Sequence, residues 1–212
     1  MNTTIQTETE LSSVNSILMA IGQAPVTRLY VSESNELVYA NPEVAFIHSL
    51  LKEVNIDVQN EGWVWNRENH YPLTPAADGM IYVPESILRM DVSENQVYRT
   101  TDLVKRDGKL YDKMNHTFQF DPLKSIYFDV VWRWEYADLP SAFKRYITLR
   151  ASGRAATQLI TNPNLVQLLA TQELQARASC MEYECNQGDH TFFGTPDGTV
   201  YRSYQPYRTL AR

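Results

Sequence analysis

The sequence contains little cysteine and glycine, and it has no long apolar run. Its 212 residues include two cysteines and eight glycines. Two cysteines in a chain of this length do not form a disulfide framework, so a reducing compartment fits the sequence. No apolar stretch reaches membrane-spanning length, and the polar N-terminus shows no secretory signal. We therefore expect no membrane contact.

Basic residues are also scarce relative to acidic ones. The formal net charge is -6 and the isoelectric point is about 5.2. A protein that holds nucleic acid presents a basic patch that displaces counterions from the phosphates, so this balance argues against stable nucleic-acid binding. Hydrophobic residues make up 43% of the chain, which is enough for one core or for a core with a smaller module.

No set of residues predicts catalysis, a cofactor or a metal ion. Cys180 and Cys185 would lie about 140° apart around a helix, and zinc sites usually have a closer pair, so we favour Cys180 as a core residue. The four histidines are scattered and no G-x-S-x-G motif accompanies them, which favours surface or hydrogen-bonded side chains. The few glycines form no phosphate-binding loop at a helix start.

Apolar residues recur every three to four positions in two N-terminal segments, which predicts two helices. The first contains Leu11, follows a capping-box pair at Thr7 and Glu10, and ends at Gly22. The second begins at Asn41, a strong N-cap, and its apolar row is Val44, Ile47, Leu51, Val54 and Val58. Residues 30–39, between them, are polar and irregular and predict a loop.

Two further helices are predicted in the C-terminal half. The third begins at Asp138 as its cap and is broken at Asn162-Pro163. The fourth runs from about residue 164 to residue 186, with an apolar row of Leu165, Leu169, Ala176, Cys180 and Tyr183. Arg150 and Arg154 on the third helix can form an ion pair with Glu173 on the fourth, or can extend to water, and the sequence favours neither.

Short runs of aromatic and β-branched residues between 63 and 136 predict an antiparallel sheet. Turn signals separate the runs, including Tyr71-Pro72, and Asp107-Gly108 predicts a hairpin. The predicted strands are Trp63–Trp65, Met80–Val83, Ile87–Met90, Gln96–Arg99, Leu103–Arg106, Lys109–Tyr111 and Ile126–Trp132. The predicted fold is α+β: a four-helix bundle of residues 1–62 and 137–188, a β insert of residues 63–136, and an extended C-terminal tail of residues 189–212.

Several segments, in order, resemble the tail tubular protein A family of T7-like podophages. The first is Leu11-x-x-Val14-Asn15-x-Ile17-Leu18-x-x-Ile21-Gly22-x-x-Pro25-Val26. Leu139-Pro140 before a helix and Cys180-Met-Glu-Tyr-Glu184 late in the fourth helix resemble later segments of the family. The resemblance covers most of residues 7–187, and it is weak in the β insert and weakest in the tail.

The resemblance implies a structural protein of the virion tail, present in the host cytoplasm during assembly, and not an enzyme. Members of the family form a twelve-subunit adaptor ring beneath the portal protein. The nozzle protein, tail tubular protein B, attaches below the ring and tail fibres attach at its side. DNA passes through the lumen only transiently, and an acidic wall suits that passage. The alternatives are a hydrolase or ligand-binding module with a dispersed site, and an assembly factor that leaves the particle.

The sequence also suggests where partners bind. Aromatic residues are concentrated in the β insert, and Trp134 and Tyr136 at its exit are candidate anchors for the fibre or the nozzle. The tail is aromatic and has more basic than acidic residues, which suits binding to the lower rim of the portal. Its candidate contact residues are Phe192, Phe193, Tyr201, Arg202, Tyr204, Tyr207 and Arg208.

Self-association is the last expectation. A ring needs a side-to-side contact between different surfaces of neighbouring copies. The sequence shows no long apolar helix face beyond those assigned to the core, so we expect a monomer or a weak oligomer that forms a ring when the portal is added.

Overall fold

The computed structural model describes residues 8–33, 36–39, 41–93, 102–160 and 162–188. It has the predicted α+β fold, with four helices and antiparallel strands. The chain divides into two compact units, one comprising Met1–Val58 and Trp134–Cys185 and the other Gln59–Arg133 and Asn186–Arg212.

The helices of the first unit bury the apolar rows that the sequence predicts. They are α1 (Glu10–Ala20), α2 (Pro42–Asn60), α3 (Ser141–Leu159) and α4 (Pro163–Gly188). The five residues of the predicted row of α2 are all at most 1% exposed. Phe143, Tyr146 and Ile147 form the buried side of α3, and Leu169, Ala176 and Cys180 form that of α4.

The structure tests the helix ends that the sequence predicts for α1 and α2. The N-cap of α1 is Thr9, whose Oγ1 accepts from the backbone N–H of Ser12 at 3.2 Å, whereas the predicted cap Thr7 lies outside the described residues. For α2 the prediction is confirmed, because Asn41 Oδ1 accepts from the Val44 N–H at 2.7 Å. Gly62, the second residue after the end of α2, has a φ of 81°, a left-handed conformation that glycine adopts without strain.

The predicted cap of α3 is wrong. Asp138 lies in a short 3₁₀ turn, Tyr136–Asp138, and the residue before the helix is Pro140. Proline fixes φ without a side-chain bond, and the Pro140 carbonyl accepts from the N–H groups of Phe143 and Lys144. The break before α4 is confirmed, since Asn162 Oδ1 accepts from the Asn164 N–H at 3.1 Å.

The predicted loop at residues 30–39 is also wrong. Two short strands, β1 (Tyr30–Glu33) and β2 (Glu36–Tyr39), pair as an antiparallel hairpin. Tyr30 pairs with Tyr39, and their ring centroids are 4.9 Å apart. Both rings contact the imidazole of His48 on α2. This tertiary contact holds the hairpin together and has no local signal in the sequence.

The second unit contains the remaining strands, all in antiparallel pairs. A three-stranded sheet has β7 (Ile126–Trp132) between β3 (Arg67–Leu73) and β4 (Ile87–Val92). Strands β5 (Leu103–Arg106) and β6 (Lys109–Asp112) form the predicted hairpin at Asp107-Gly108. The core of the unit consists of eight apolar residues, Leu73, Ile81, Val83, Ile87, Leu110, Ile126, Phe128 and Val130.

Three strand predictions in this unit are not confirmed. Trp63–Trp65 leads instead into a 3₁₀ turn, Val64–Asn66, in which the Trp63 N–H donates to Asn66 Oδ1 at 2.8 Å. Met80–Val83 makes only an isolated bridge from Tyr82 to Lys109. The third predicted strand, Gln96–Arg99, lies outside the described residues. The predicted turn at Tyr71-Pro72 is wrong, because these residues lie within β3.

Candidate interaction surfaces

The two predicted anchors after the β insert have different surroundings. Trp134 is 46% exposed. Tyr136 is 3% exposed, and its hydroxyl lies 2.8 Å from Ser13 Oγ and 3.3 Å from Thr148 Oγ1. Burial raises the pKa of Tyr136. Because its ring is enclosed and its hydroxyl is bonded within the helical unit, Tyr136 cannot serve as an anchor in this conformation. Trp134 remains a candidate, and the tail residues lie outside the described part.

A buried histidine is the main polar feature that the sequence did not distinguish. The side chain of His48 is fully buried, with Nε2 3.2 Å from Glu10 Oε2. On the other side of the ring, Nδ1 is 3.1 Å from the Tyr39 hydroxyl and 3.4 Å from that of Tyr30. The simplest assignment of these bonds has Nε2–H donating to the carboxylate and Nδ1 accepting from tyrosine. His48 therefore joins α1, α2 and the hairpin.

The surroundings of this histidine also shift the protonation equilibria of the group. Burial lowers the pKa of His48, the cation of Lys52 lowers it further, and the carboxylate of Glu10 opposes both effects. Burial, together with the hydrogen bond and charge interaction with Tyr39, raises the pKa of Tyr30 to about 12. His48 and Tyr30 are thus neutral near pH 7, and the geometry of the cluster indicates a structural role.

Of the two arginines for which an ion pair with Glu173 was left open, only one forms it. Arg150 Nε lies 3.9 Å from Glu173 Oε1. Arg154 instead bonds two carboxylates of α2, Glu53 Oε1 at 3.2 Å and Asp57 Oδ2 at 2.7 Å. The sequence left the ion pair and extension to water open, and it did not indicate that α2 supplies the carboxylates for Arg154.

A buried tyrosine connects α3 to α4. The Tyr146 hydroxyl accepts from Arg177 Nη1 at 2.8 Å and from Arg150 Nη1 at 3.1 Å, and the residue is 1% exposed. Nearby, the Cys180 thiol donates to the Ala142 carbonyl at 3.4 Å. These bonds fix one side of α4 against α3.

One serine, one histidine and one aspartate do meet in the β unit. Ser93 Oγ donates to Asp129 Oδ1, and His70 Nδ1 lies 3.7 Å from the same oxygen. In a hydrolytic triad the histidine stands between the serine and the carboxylate and removes the serine proton. Here the carboxylate stands between the other two, so this arrangement does not activate Ser93.

The two cysteines of the chain have different surroundings. Cys180 is buried and Cys185 is exposed. In the part of the chain that the structure describes, no three histidine, cysteine or acidic side chains are placed to hold a metal ion. None of the helices in that part is both long enough and apolar enough to cross a bilayer.

Helix α4 exposes a second apolar row, which we call the outer row. It consists of Ala170, Leu174, Ala178, Met181 and Cys185, all exposed, with Leu174 at 68% and Met181 at 47%. The spacing of three and four residues places the five side chains along one side of the helix, about 140° from the buried row. The expectation of no further long apolar helix face is therefore wrong.

A groove lies on another side of α4, where this helix meets α3. Its volume is about 400 Å³. Its walls are Arg145 and Leu149 from α3 and Gln172, Gln175, Ala176 and Ser179 from α4. The guanidinium of Arg145 is exposed and, among the described residues, has no carboxylate within ion-pair distance. Four of the six lining residues are polar, and only Leu149 and Ala176 are apolar, so the groove can accept an apolar side chain that has an acidic residue beside it.

Comparison with known proteins adds one finding. Residues 11–190 match the model of a protein family described as Tail tubular protein. The match extends from α1 to just beyond α4 and so includes almost all of the described elements. No curated protein matches the chain.

Proposed function

This chain belongs to the tail tubular protein family and is a structural component of a phage tail, and from that premise we propose that it is the ring-forming adaptor between portal and nozzle. In this role it is a non-enzymatic subunit that joins the portal protein above to the nozzle protein below. Copies of the chain stand side by side around the DNA exit channel, and tail fibres attach at the side of the ring.

The observation that carries this proposal is the outer row of α4. Single exposed apolar side chains are common on proteins, but a continuous exposed row along a helix of 26 residues is typical of a surface that contacts a partner in an assembly. The predicted ring of twelve copies requires such a surface on every copy. The buried row and the bonds to Tyr146 leave the outer row available.

The charge of the chain supports its place beside the DNA channel. A net charge of -6 on each copy gives the ring an acidic character. Such a wall repels the phosphate backbone, so that DNA passes without being held. Attachment of the fibre or the nozzle is assigned to the surface around Trp134, which is 46% exposed. Attachment to the portal is assigned to residues 189–212.

Binding to the portal tests this proposal directly. Purified chain is mixed with purified portal protein and imaged by negative-stain electron microscopy, and a ring on one face of the portal is expected. A variant truncated after Gly188 should keep its thermal unfolding midpoint but fail to bind the portal. Failure of the full chain to bind the portal would contradict the adaptor role.

Analysis of particles separates this function from a transient role in assembly. If the chain is an adaptor, mass spectrometry of purified virions detects it in a fixed ratio to the portal protein. Its presence in assembly intermediates but absence from finished virions would instead identify an assembly factor. A Trp134→Ala variant should still form rings on the portal while its binding of fibre or nozzle is weakened.

A further inference from the structure

We propose that the outer row of α4 is the surface through which one copy of this chain packs against a second copy, and that it enters the α3–α4 groove of that copy. The inference rests on the proposed function, because an adaptor ring is built from repeated contacts between identical subunits. It adds the two surfaces that meet in each contact.

The form of the outer row fits a helix-packing contact. Large and small side chains alternate along it, with Leu174 and Met181 separated by Ala178. Large residues of such a row fill a groove, and the alanines let the facing backbone come close. Each copy has a net charge of -6, so two copies repel one another. The outer row carries no charge, and a contact made through it therefore adds little to this repulsion.

The positions of the row and the groove predict the symmetry of the contact. Both surfaces include residues of α4, but the centre of the groove-lining residues Gln172, Gln175 and Ser179 lies about 130° around the helix axis from the centre of the row. A contact between two different surfaces is heterologous, and it can be repeated from copy to copy until a ring closes. A row that paired with itself would instead form a closed dimer and stop.

Charge supports the groove as the partner surface. Arg145 at the groove is an exposed cation, and Glu182, at the edge of the outer row, is an exposed anion. Neither has an ion partner among the described residues of its own chain. When the row of one copy enters the groove of the next, Glu182 meets Arg145 of its neighbour. The other cations of α3 have partners within their own chain. Arg154, for example, bonds two carboxylates of α2.

The size of the contact predicts weak pairwise association. The row extends over about 22 Å, from residue 170 to residue 185 at ~1.5 Å per residue. With a width of about 10 Å it buries roughly 450 Å² in total, below the ~1,000 Å² of a typical specific interface. A pair of copies therefore dissociates readily, whereas a closed ring or a portal surface adds further contacts. This agrees with the expectation of a monomer or weak oligomer in isolation.

Sedimentation velocity on the full chain tests the row. We expect association that increases with concentration and is weakened about tenfold or more by Leu174→Lys, because the substitution places a charge within the contact. The matched control is Met19→Lys on α1, where the apolar side chain is 57% exposed but lies outside the row. It should associate as the wild type does. Equal association of all three proteins, or none by the wild type up to about 1 mM, would overturn the proposal.

A charge exchange tests the groove. Arg145→Glu and Glu182→Arg should each weaken association, and the double variant should restore it, since the two charges have changed places. Weakening by both single variants without restoration would refute the groove as the partner surface. Circular dichroism of each variant should retain the helical signal of the wild type, which confirms that folding is intact.

Two thiol measurements test the two other possible occupants of the row, which are the same row of a second copy and residues 189–212 of the same chain. Disulfide-linked dimers through Cys185, or through an Ala178→Cys substitution, would show that the row pairs with itself and would overturn the head-to-tail contact. Cys185 should react with maleimide at the same rate in the monomeric chain and in a chain truncated after Gly188. Faster reaction after truncation would show that residues 189–212 cover the row, which also contradicts the proposal.

The outcomes for this surface and for the adaptor role can be told apart. Portal binding and ring formation by Leu174→Lys at wild-type levels would refute the outer row as the contact and leave the adaptor role intact. Concentration-dependent association through the row, without any binding to the portal, would refute the adaptor role and leave the outer row intact as a contact between copies.

Discussion

Lowering the pH below 6.5 should reduce the stability of the helical unit through His48. The ordinary pKa of this group is 6.5, and the folded protein lowers it mainly by burying the imidazole completely. Between the lowered value and 6.5, the unfolded chain binds a proton that the folded chain does not. Stability therefore falls as the pH falls through this window, and it is independent of His48 at higher pH.

The size of this effect is bounded by one proton. Within the window the free energy of unfolding decreases by at most about 1.4 kcal/mol for each pH unit. The groups that face the imidazole are Glu10, Lys52, Tyr30 and Tyr39. Tyr30, whose pKa is raised to about 12, stays neutral throughout this range, and measurement above pH 5 limits the titration of carboxylates. The effect of His48 can therefore be isolated by comparison with a variant.

Urea unfolding at pH values from 7.5 to 5 measures this slope for the wild type and for His48→Gln. Glutamine keeps a hydrogen-bonding amide but does not titrate, so the wild type should lose stability relative to the variant as the pH decreases. The same pH dependence in both proteins would refute the reasoning. An NMR titration of the His48 ring with a midpoint at or above 6.5 would refute it independently.

Three further changes test the local structure by urea unfolding. Asn41→Ala removes the cap of α2 and should cost about 1 kcal/mol, and loss of less than half that value would contradict the capping role. Gly62→Ala should cost more than Gly108→Ala: both glycines have left-handed φ angles, 81° and 70°, but only at Gly62 would a Cβ lie within 3.1 Å of neighbouring side chains. Tyr136→Phe removes the buried partner of Ser13 and should cost about 1–2 kcal/mol, whereas no change would show that the hydroxyl contributes nothing.

The helices were predictable because their burial follows a local pattern. In α2 the five apolar residues of the predicted row, from Val44 to Val58, are spaced three to four positions apart, and all five are buried in the structure. Asn41 and Gly62 mark its two ends in the sequence as well. The start of α3 was less predictable, because Asp138 and Pro140 both suit the beginning of a helix. In the structure Asp138 belongs to a 3₁₀ turn and Pro140 precedes α3, and nothing in the sequence indicates that turn.

Strand β3 was missed because it lies at the edge of its sheet. The order of strands places β7 in the centre, so β3 pairs on one side only. Six of its seven residues are exposed or half-buried and only Leu73 is buried, so the strand lacks an alternating apolar pattern. Pro72 indicated a turn, but an edge strand accepts proline where no backbone N–H is needed. The central strand β7, with four buried residues, was predicted correctly.

The β1–β2 hairpin shows a different limit. Its strands have four residues each, and Tyr30 and Tyr39 are stabilised by contact with His48, which follows on α2. A contact between separate elements leaves no periodic signal in either of them. The same reason explains why His48 could not be distinguished from the other histidines, although it is fully buried and bonded to Glu10.

The outer row shows why the candidate surface could not be selected from sequence. Helix α4 has two rows of apolar and small residues with the same three-to-four spacing, one through Leu169 and Cys180 and one through Leu174 and Met181. Periodicity alone cannot say which row faces the core. The structure resolves this through α3, since the Tyr146 hydroxyl binds Arg177 and the Ala142 carbonyl binds Cys180. These contacts turn the first row inward, and the second is thereby left for another copy of the chain.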